Sequence, residues 1–149
     1  MDIGGEQIFI ILASANFVII TSVLFFRGKK ALSIFPELER VHVLFREKWA
    51  SGYSTKSWKT KAGGAQNVLE VVITESELWL KCPTVFAGVG RSYDLIHKLK
   101  IEEIQSVELN QKDKTIVIKL KEKHNPSGPF ILKLKKGKEF LEILKPKLV

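Results

Sequence analysis

The 149-residue chain has a single cysteine, Cys82, so no intramolecular disulfide can form. That fits a reducing compartment. No Cys/His cluster accompanies the thiol, whose ordinary role here is a packed or half-exposed side chain in a strand. Histidine and aspartate are also scarce. There are three of each: His42, His97 and His124, and Asp2, Asp94 and Asp113. The sequence has no H-E-x-x-H, C-x-x-C, Walker loop or G-x-S-x-G. Gly88-Val89-Gly90 is a fragment of a glycine-rich loop without the helix that phosphate binding needs. Ser54 or Ser57 with a distant histidine makes a conceivable dyad, but serines in a polar loop ordinarily serve turns. The sequence therefore assigns no catalytic residue, no cofactor and no metal, and the expectation is a protein that is not an enzyme.

Residues 1–26 lack lysine and arginine altogether and carry two acids, Asp2 and Glu6. All 24 Lys and Arg lie in 27–149 against 14 acids, so that part has a net charge of +10. Within the uncharged stretch, Ile8–Phe26 (IFIILASANFVIITSVLFF) holds 19 residues, 13 of them Ile, Leu, Val or Phe. As a helix it would extend roughly 28 Å, close to the ~30 Å hydrocarbon core of a bilayer. Those apolar residues favour insertion by roughly 4–8 kcal/mol before the polar ones are set against them. Ser14, Thr21 and Ser22 can bond back to carbonyls of their own helix. A buried soluble helix would need a second layer large enough to surround it, which a small β domain does not offer. A cleaved signal peptide needs a basic start and a small-residue cleavage site, whereas this start is acidic and Phe25-Phe26-Arg27 follows the run. The expectation is an uncleaved transmembrane helix over 8–26, preceded by a short tail, 1–7. Arg27, Lys29 and Lys30 follow it, so the positive-inside rule puts the N-terminus outside and the C-terminal domain in the cytoplasm, at the cell membrane. Asn16 sits near the middle of the span. It is a tolerated polar residue or a contact to a second helix, which would give a homo-oligomer or a partner contact.

Residues 27–50 read as a juxtamembrane linker and a short helix. Pro36 can open that helix, and Leu38, Val41, Phe45 and Trp49 recur at helical spacing through about Lys48. Val41, Val43 and Phe45 also alternate like a strand. Ser51–Asn67 is polar and glycine-rich, with a turn at Gly63-Gly64. From Val68 successive short strands follow: Val68–Thr74, Glu77–Cys82, Thr84–Val89, Tyr93–Ile101, Ile104–Leu109, Thr115–Leu120 and Phe130–Lys135. Turns fall at Glu75-Ser76, Asn110–Lys114 and Asn125–Pro129. In the last two strands Ile116, Ile118 and Leu120, then Phe130, Leu132 and Leu134, alternate with lysines. Lys138–Leu144 closes the chain as a short amphipathic helix with Phe140, Leu141 and Leu144 on one face, stopped by Pro146. The fold class is mainly β with α: an antiparallel barrel or sandwich capped by a C-terminal helix.

The hairpin VLEVVITESELWL, the segment HKLKIEEIQSVEL, the alternating KTIVIKLK and the closing FILKLKKGKEFLEIL together resemble a pleckstrin-homology-like domain of the bacterial PH or GRAM-like kind. The likeness covers roughly Ser51–Lys145, within a PH-like domain set at 51–149. It implies a barrel plugged by its last helix. The segment WASGYS…GGAQNVLEV…ELWL behind an N-terminal anchor also looks like a group of small bacterial membrane proteins of unassigned function, which implies an architecture and a location and no activity.

For a surface role the candidates are Lys56, Trp58, Lys59 and Lys61 with Arg27, Lys29 and Lys30. An indole among ammonium groups suits an anionic lipid interface, each cation contributing about 1 kcal/mol near such a surface. A solvated loop kept soluble by lysine would look the same. The resemblance adds that PH-like domains often bind headgroups with lysines around the first two strands. Lysines 119, 121, 133, 135, 136 and 138 form either a second basic face or the outward side of a protected sheet. Nucleic acid is disfavoured as a partner, because the domain lacks an aromatic-rich recognition strand and carries an anchor. The expected role is an interaction module at the membrane face, holding a protein partner or anionic lipid headgroups. The alternative is a structural subunit assembled through its transmembrane helix.

Overall fold

The computed structural model describes residues 4–124 and 128–148. The first three residues of the N-terminal tail, and residues 125–127 of the turn at Asn125–Pro129, lie outside them. The chain begins with α1 (Gly5–Leu32), a helix of 28 residues and about 42 Å. Seven strands and three helices follow: β1 (Val43–Ser54), α2 (Trp58–Ala62), β2 (Ala65–Thr74), β3 (Glu77–Lys81), α3 (Thr84–Ser92), β4 (His97–Lys100), β5 (Ile104–Asn110), β6 (Thr115–Leu120), β7 (Phe130–Lys133) and α4 (Gly137–Leu144). All pairings are antiparallel, in the order β4-β3-β2-β1-β7-β6-β5, so the sheet is open with β4 and β5 at its edges.

Apolar side chains of one sheet face, among them Leu69, Leu80, Ile116, Ile118, Phe130 and Leu132, make the core with Phe140 and Leu144 of α4. Phe45 meets Phe140 edge-on at 5.4 Å, which seats α4 on β1. The β7–α4 turn is held by a buried carboxylate. Glu47 on β1 accepts the Lys135 amide at 2.7 Å and the Lys136 amide at 2.8 Å. Val72 and Trp79 are fully buried on the other sheet face, where Phe35 tilts against the Trp79 ring at 5.5 Å.

Three expectations are corrected. The helix through about Lys48 is instead a 3-10 turn at Leu38–Arg40 followed by β1. Phe45 and Glu47 point inward, then Trp49 takes a left-handed φ of 64° and the register slips between Glu47 and Ala50. This bulge puts Ala50, Gly52 and Ser54 inward, so the helical spacing of Leu38, Val41, Phe45 and Trp49 is coincidental. Gly52 lies where a Cβ would stand 2.7 Å from Leu132 Cδ2, so a polar, glycine-rich stretch is here a central strand pressed between neighbours. Thr84–Val89 is the first part of α3, not a strand, and Gly88-Val89-Gly90 lies within that helix. Nor does α1 stop at Phe26. It runs through the segment read as linker to Leu32, burying Gly28 and Ala31.

Candidate membrane-facing surface

Helix α1 is the only helix among the described residues long and apolar enough to cross a membrane. Its best 18-residue window has a mean hydropathy of 2.5, and none of that window is buried. Three of its polar residues bond back to carbonyls of their own helix. Ser14 Oγ donates to the Ile10 carbonyl at 2.7 Å and Thr21 Oγ1 to the Phe17 carbonyl at 2.8 Å. Asn16 is exposed, and its Nδ2 donates to the Leu12 carbonyl at 2.8 Å, which occupies one of its N–H groups.

Past its uncharged part α1 is gripped by α3. A Cβ on Gly28 would run into the carbonyl oxygen of Thr84, and a Cβ on Gly88 would stand 3.2 Å from Arg27 Cβ. Backbones come this close only where both helices offer small residues, and Ala31, further along α1, is buried too. The Gly28 Cα–H therefore points at the Thr84 oxygen, the geometry of a weak Cα–H···O contact. A second face of α3, Ala87 and Gly90, packs on the core. At Gly90 a Cβ would stand 2.9 Å from Cys82 Sγ. Burial pushes the Cys82 thiol up to about 11, so it is an inert packed group. The third face carries Val85, Phe86 and Val89, which are 40%, 51% and 46% exposed.

Tyr93, the residue capping α3, joins this surface to α2. Lys59 Nζ stands 5.5 Å from the Tyr93 ring centre, and Gly63 packs so closely on that ring that no side chain fits there. The α2 turn is set by a capping box in which Ser57 Oγ accepts the Thr60 amide and Thr60 Oγ1 accepts the Ser57 amide. Trp58 follows the cap and is 82% exposed, with Lys56, Lys59 and Lys61 exposed around it. A cavity of about 250 Å³ opens between Phe86, Val89 and the Gly63-Gly64 turn.

The structure thus brings the α2 candidates together with the end of α3, and Arg27 with its middle. Lys29 and Lys30 are exposed on the last turn of α1, where they also complement the helix dipole. Asn16 stands apart, within the uncharged part of α1. Val85, Phe86 and Val89 were missed in the sequence because Thr84–Val89 reads as a strand. Their i, i+1, i+4 spacing beside the small residues Ala87, Gly88 and Gly90 is the signal that could have found them. The lysines at 119, 121, 133, 135, 136 and 138 are exposed as the alternation predicts, but Lys119 pairs with Glu108 at 3.2 Å and Lys136 with Glu139 at 3.7 Å. No family model matches this chain, and neither does any curated protein.

One polar network lies beneath this surface. Buried Ser54 Oγ donates to Asp94 Oδ2 at 2.7 Å, and Asp94 Oδ1 is 3.1 Å from His97 Nε2. The carboxylate, not the imidazole, is central, and it joins the Ser54 hydroxyl to the ring. The network pins the left-handed turn at Asp94 (φ 59°) to β1. The His97 ring lies against Phe130 at 4.6 Å, and its burial lowers its pKa against the opposing pull of Asp94.

Proposed function

We propose that the protein is a single-pass, non-enzymatic interaction module of the cell membrane. Helix α1 spans the bilayer with its N-terminus outside. The basic domain, a PH-like fold whose open sheet is covered by α4, stands at the cytoplasmic face, where it holds a protein partner or anionic lipid headgroups. The carrying observation is α1 itself, whose apolar window has no protein cover while its far end is packed into the domain. A cleaved leader has no reason to be built into a folded core, yet Gly28 and Ala31 of the same helix are. The strand order, with β1 paired to β2 on one side and β7 on the other, and α4 seated on the core, supports the PH-like reading.

The test is fractionation of cells expressing the full chain, with an alkaline wash of the membranes and an intact-mass measurement. The expected result is a 16.9 kDa chain retained through the wash, its C-terminus digested only in inverted vesicles. Release into the soluble fraction, or a chain shortened by its apolar run, would refute the reading. Assembly through the helix is the second reading, favoured only by Asn16 being exposed on α1.

A further inference from the structure

We propose that α3 is embedded in the lipid–water interface, with Val85, Phe86 and Val89 among the acyl chains and the cations around them on anionic headgroups, so that the domain grips the bilayer at a second point. This rests on α1 spanning the membrane and adds where the folded domain sits against it.

Depth comes first. Helix α3 is locked to α1 at Arg27 and Gly28, and Arg27 is the first cation after the uncharged run. A helix fixed at that residue lies at the boundary between hydrocarbon and headgroups. Next come its faces. Thr84 and Gly88 meet α1, and Ala87 and Gly90 meet the core. The remaining face would carry polar side chains if it met water. It carries two valines and a phenylalanine, adjacent by helical spacing and 40–51% exposed.

Charge agrees. The chain has 16 acids, yet none lies in 7–36, 48–69 or 78–93, the segments that build this surface. They contribute Arg27, which packs on Gly88 of α3, and Lys59, which reaches Tyr93 at its end, with Trp58 exposed next to Lys59 in the chain. An apolar strip flanked by cations and an indole, on segments without carboxylates, is complementary to an anionic bilayer surface. A protein partner seated there would have to share the level at which α1 leaves the lipid.

The test uses the full chain with single cysteines at Phe86→Cys, Val89→Cys, Ile20→Cys and Lys133→Cys, each nitroxide-labelled and reconstituted in phosphatidylcholine–phosphatidylglycerol vesicles. The wild-type chain, whose only thiol is buried, gives the labelling background. Collision with oxygen and with a water-soluble nickel chelate is read by electron paramagnetic resonance. Residues 86 and 89 should favour oxygen several-fold over residue 133, at a depth between those of 133 and 20. If 86 and 89 match 133, they face water. If both reagents are excluded there, a protein, such as a second copy, covers them. Either result overturns the proposal while Ile20 in lipid leaves the spanning helix standing. If Ile20 itself meets the nickel chelate, the spanning reading fails first and this one with it.

Discussion

Gly28→Val should loosen the grip of α3 on α1. The Cβ of any residue at 28 meets the Thr84 carbonyl oxygen, which is backbone and cannot rotate away. Helix α3 cannot retreat as a whole, because Ala87 and Gly90 hold it to the core. Overpacking of this kind costs about 1–3 kcal/mol. Alanine at 28 would recover about 1 kcal/mol of helix propensity, and valine roughly half of that. We therefore expect a net loss of about 0–2 kcal/mol for Gly28→Ala and about 0.5–2.5 kcal/mol for Gly28→Val. Gly5→Ala is the control, since nothing lies within 4 Å of its added Cβ. Urea unfolding of the full chain in detergent micelles can be followed through Trp79, which is fully buried against Phe35, just beyond α1. Trp49→Phe and Trp58→Phe, both at exposed positions, silence the other indoles. With a slope of about 2 kcal/mol per molar urea, a loss of about 2 kcal/mol lowers the midpoint by about 1 M. A Gly28→Val midpoint equal to the wild type would refute the close crossing.

Glu47→Gln should cost about 1.5–3 kcal/mol by thermal or urea unfolding, because an amide replaces a buried carboxylate that accepts from both Lys135 and Lys136 backbones. An unchanged midpoint would mean that the β7–α4 turn does not depend on it. His97 is held below its ordinary value of 6.5 by burial, so the unfolded chain takes up a proton that the folded chain refuses. Stability should fall as pH drops through about 6.5, by at most about 1.4 kcal/mol per pH unit, until the folded ring protonates too. His97→Gln should flatten that slope, and an unchanged pH profile would show that another group carries it. Cys82 should resist maleimide at pH 8 in the native protein and react on unfolding, as a buried thiol raised to about 11 requires. Fast native labelling would contradict its packing.

Much of the sheet is legible from alternation alone. Ile116, Ile118 and Leu120 face a core that Phe130, Leu132 and Leu134 complete, and lysines mark the other side. The closing helix declares itself through Phe140, Leu141 and Leu144. β1 does not, for two physical reasons. A bulge at Trp49 breaks the period of two, and the positions that then turn inward are Ala50, Gly52 and Ser54, small or polar because neighbouring strands press on them. α3 hides differently. Its contacts with α1 and the core are made by Thr84, Ala87, Gly88 and Gly90, so its only large apolar residues are those that face outward. A reading that seeks buried apolar faces passes over a helix whose buried faces are nearly bare backbone. Of the candidate surface, the lysines and Trp58 were visible as composition, but their adjacency to α3 through Tyr93 is a tertiary fact.

The tilted Phe35–Trp79 contact and the Gly28–Thr84 crossing tie α1 to the folded domain at two points. A domain on a slack leash would sweep a hemisphere, and each capture of a partner would have to arrest that motion. With α1 in the spanning role proposed above, its roll or tilt would be transmitted to the edges β4 and β5, as the angle of a handle sets the angle of a blade. Lipid thickness, to which a spanning helix responds in part by tilting, would then become a means of aiming those edges.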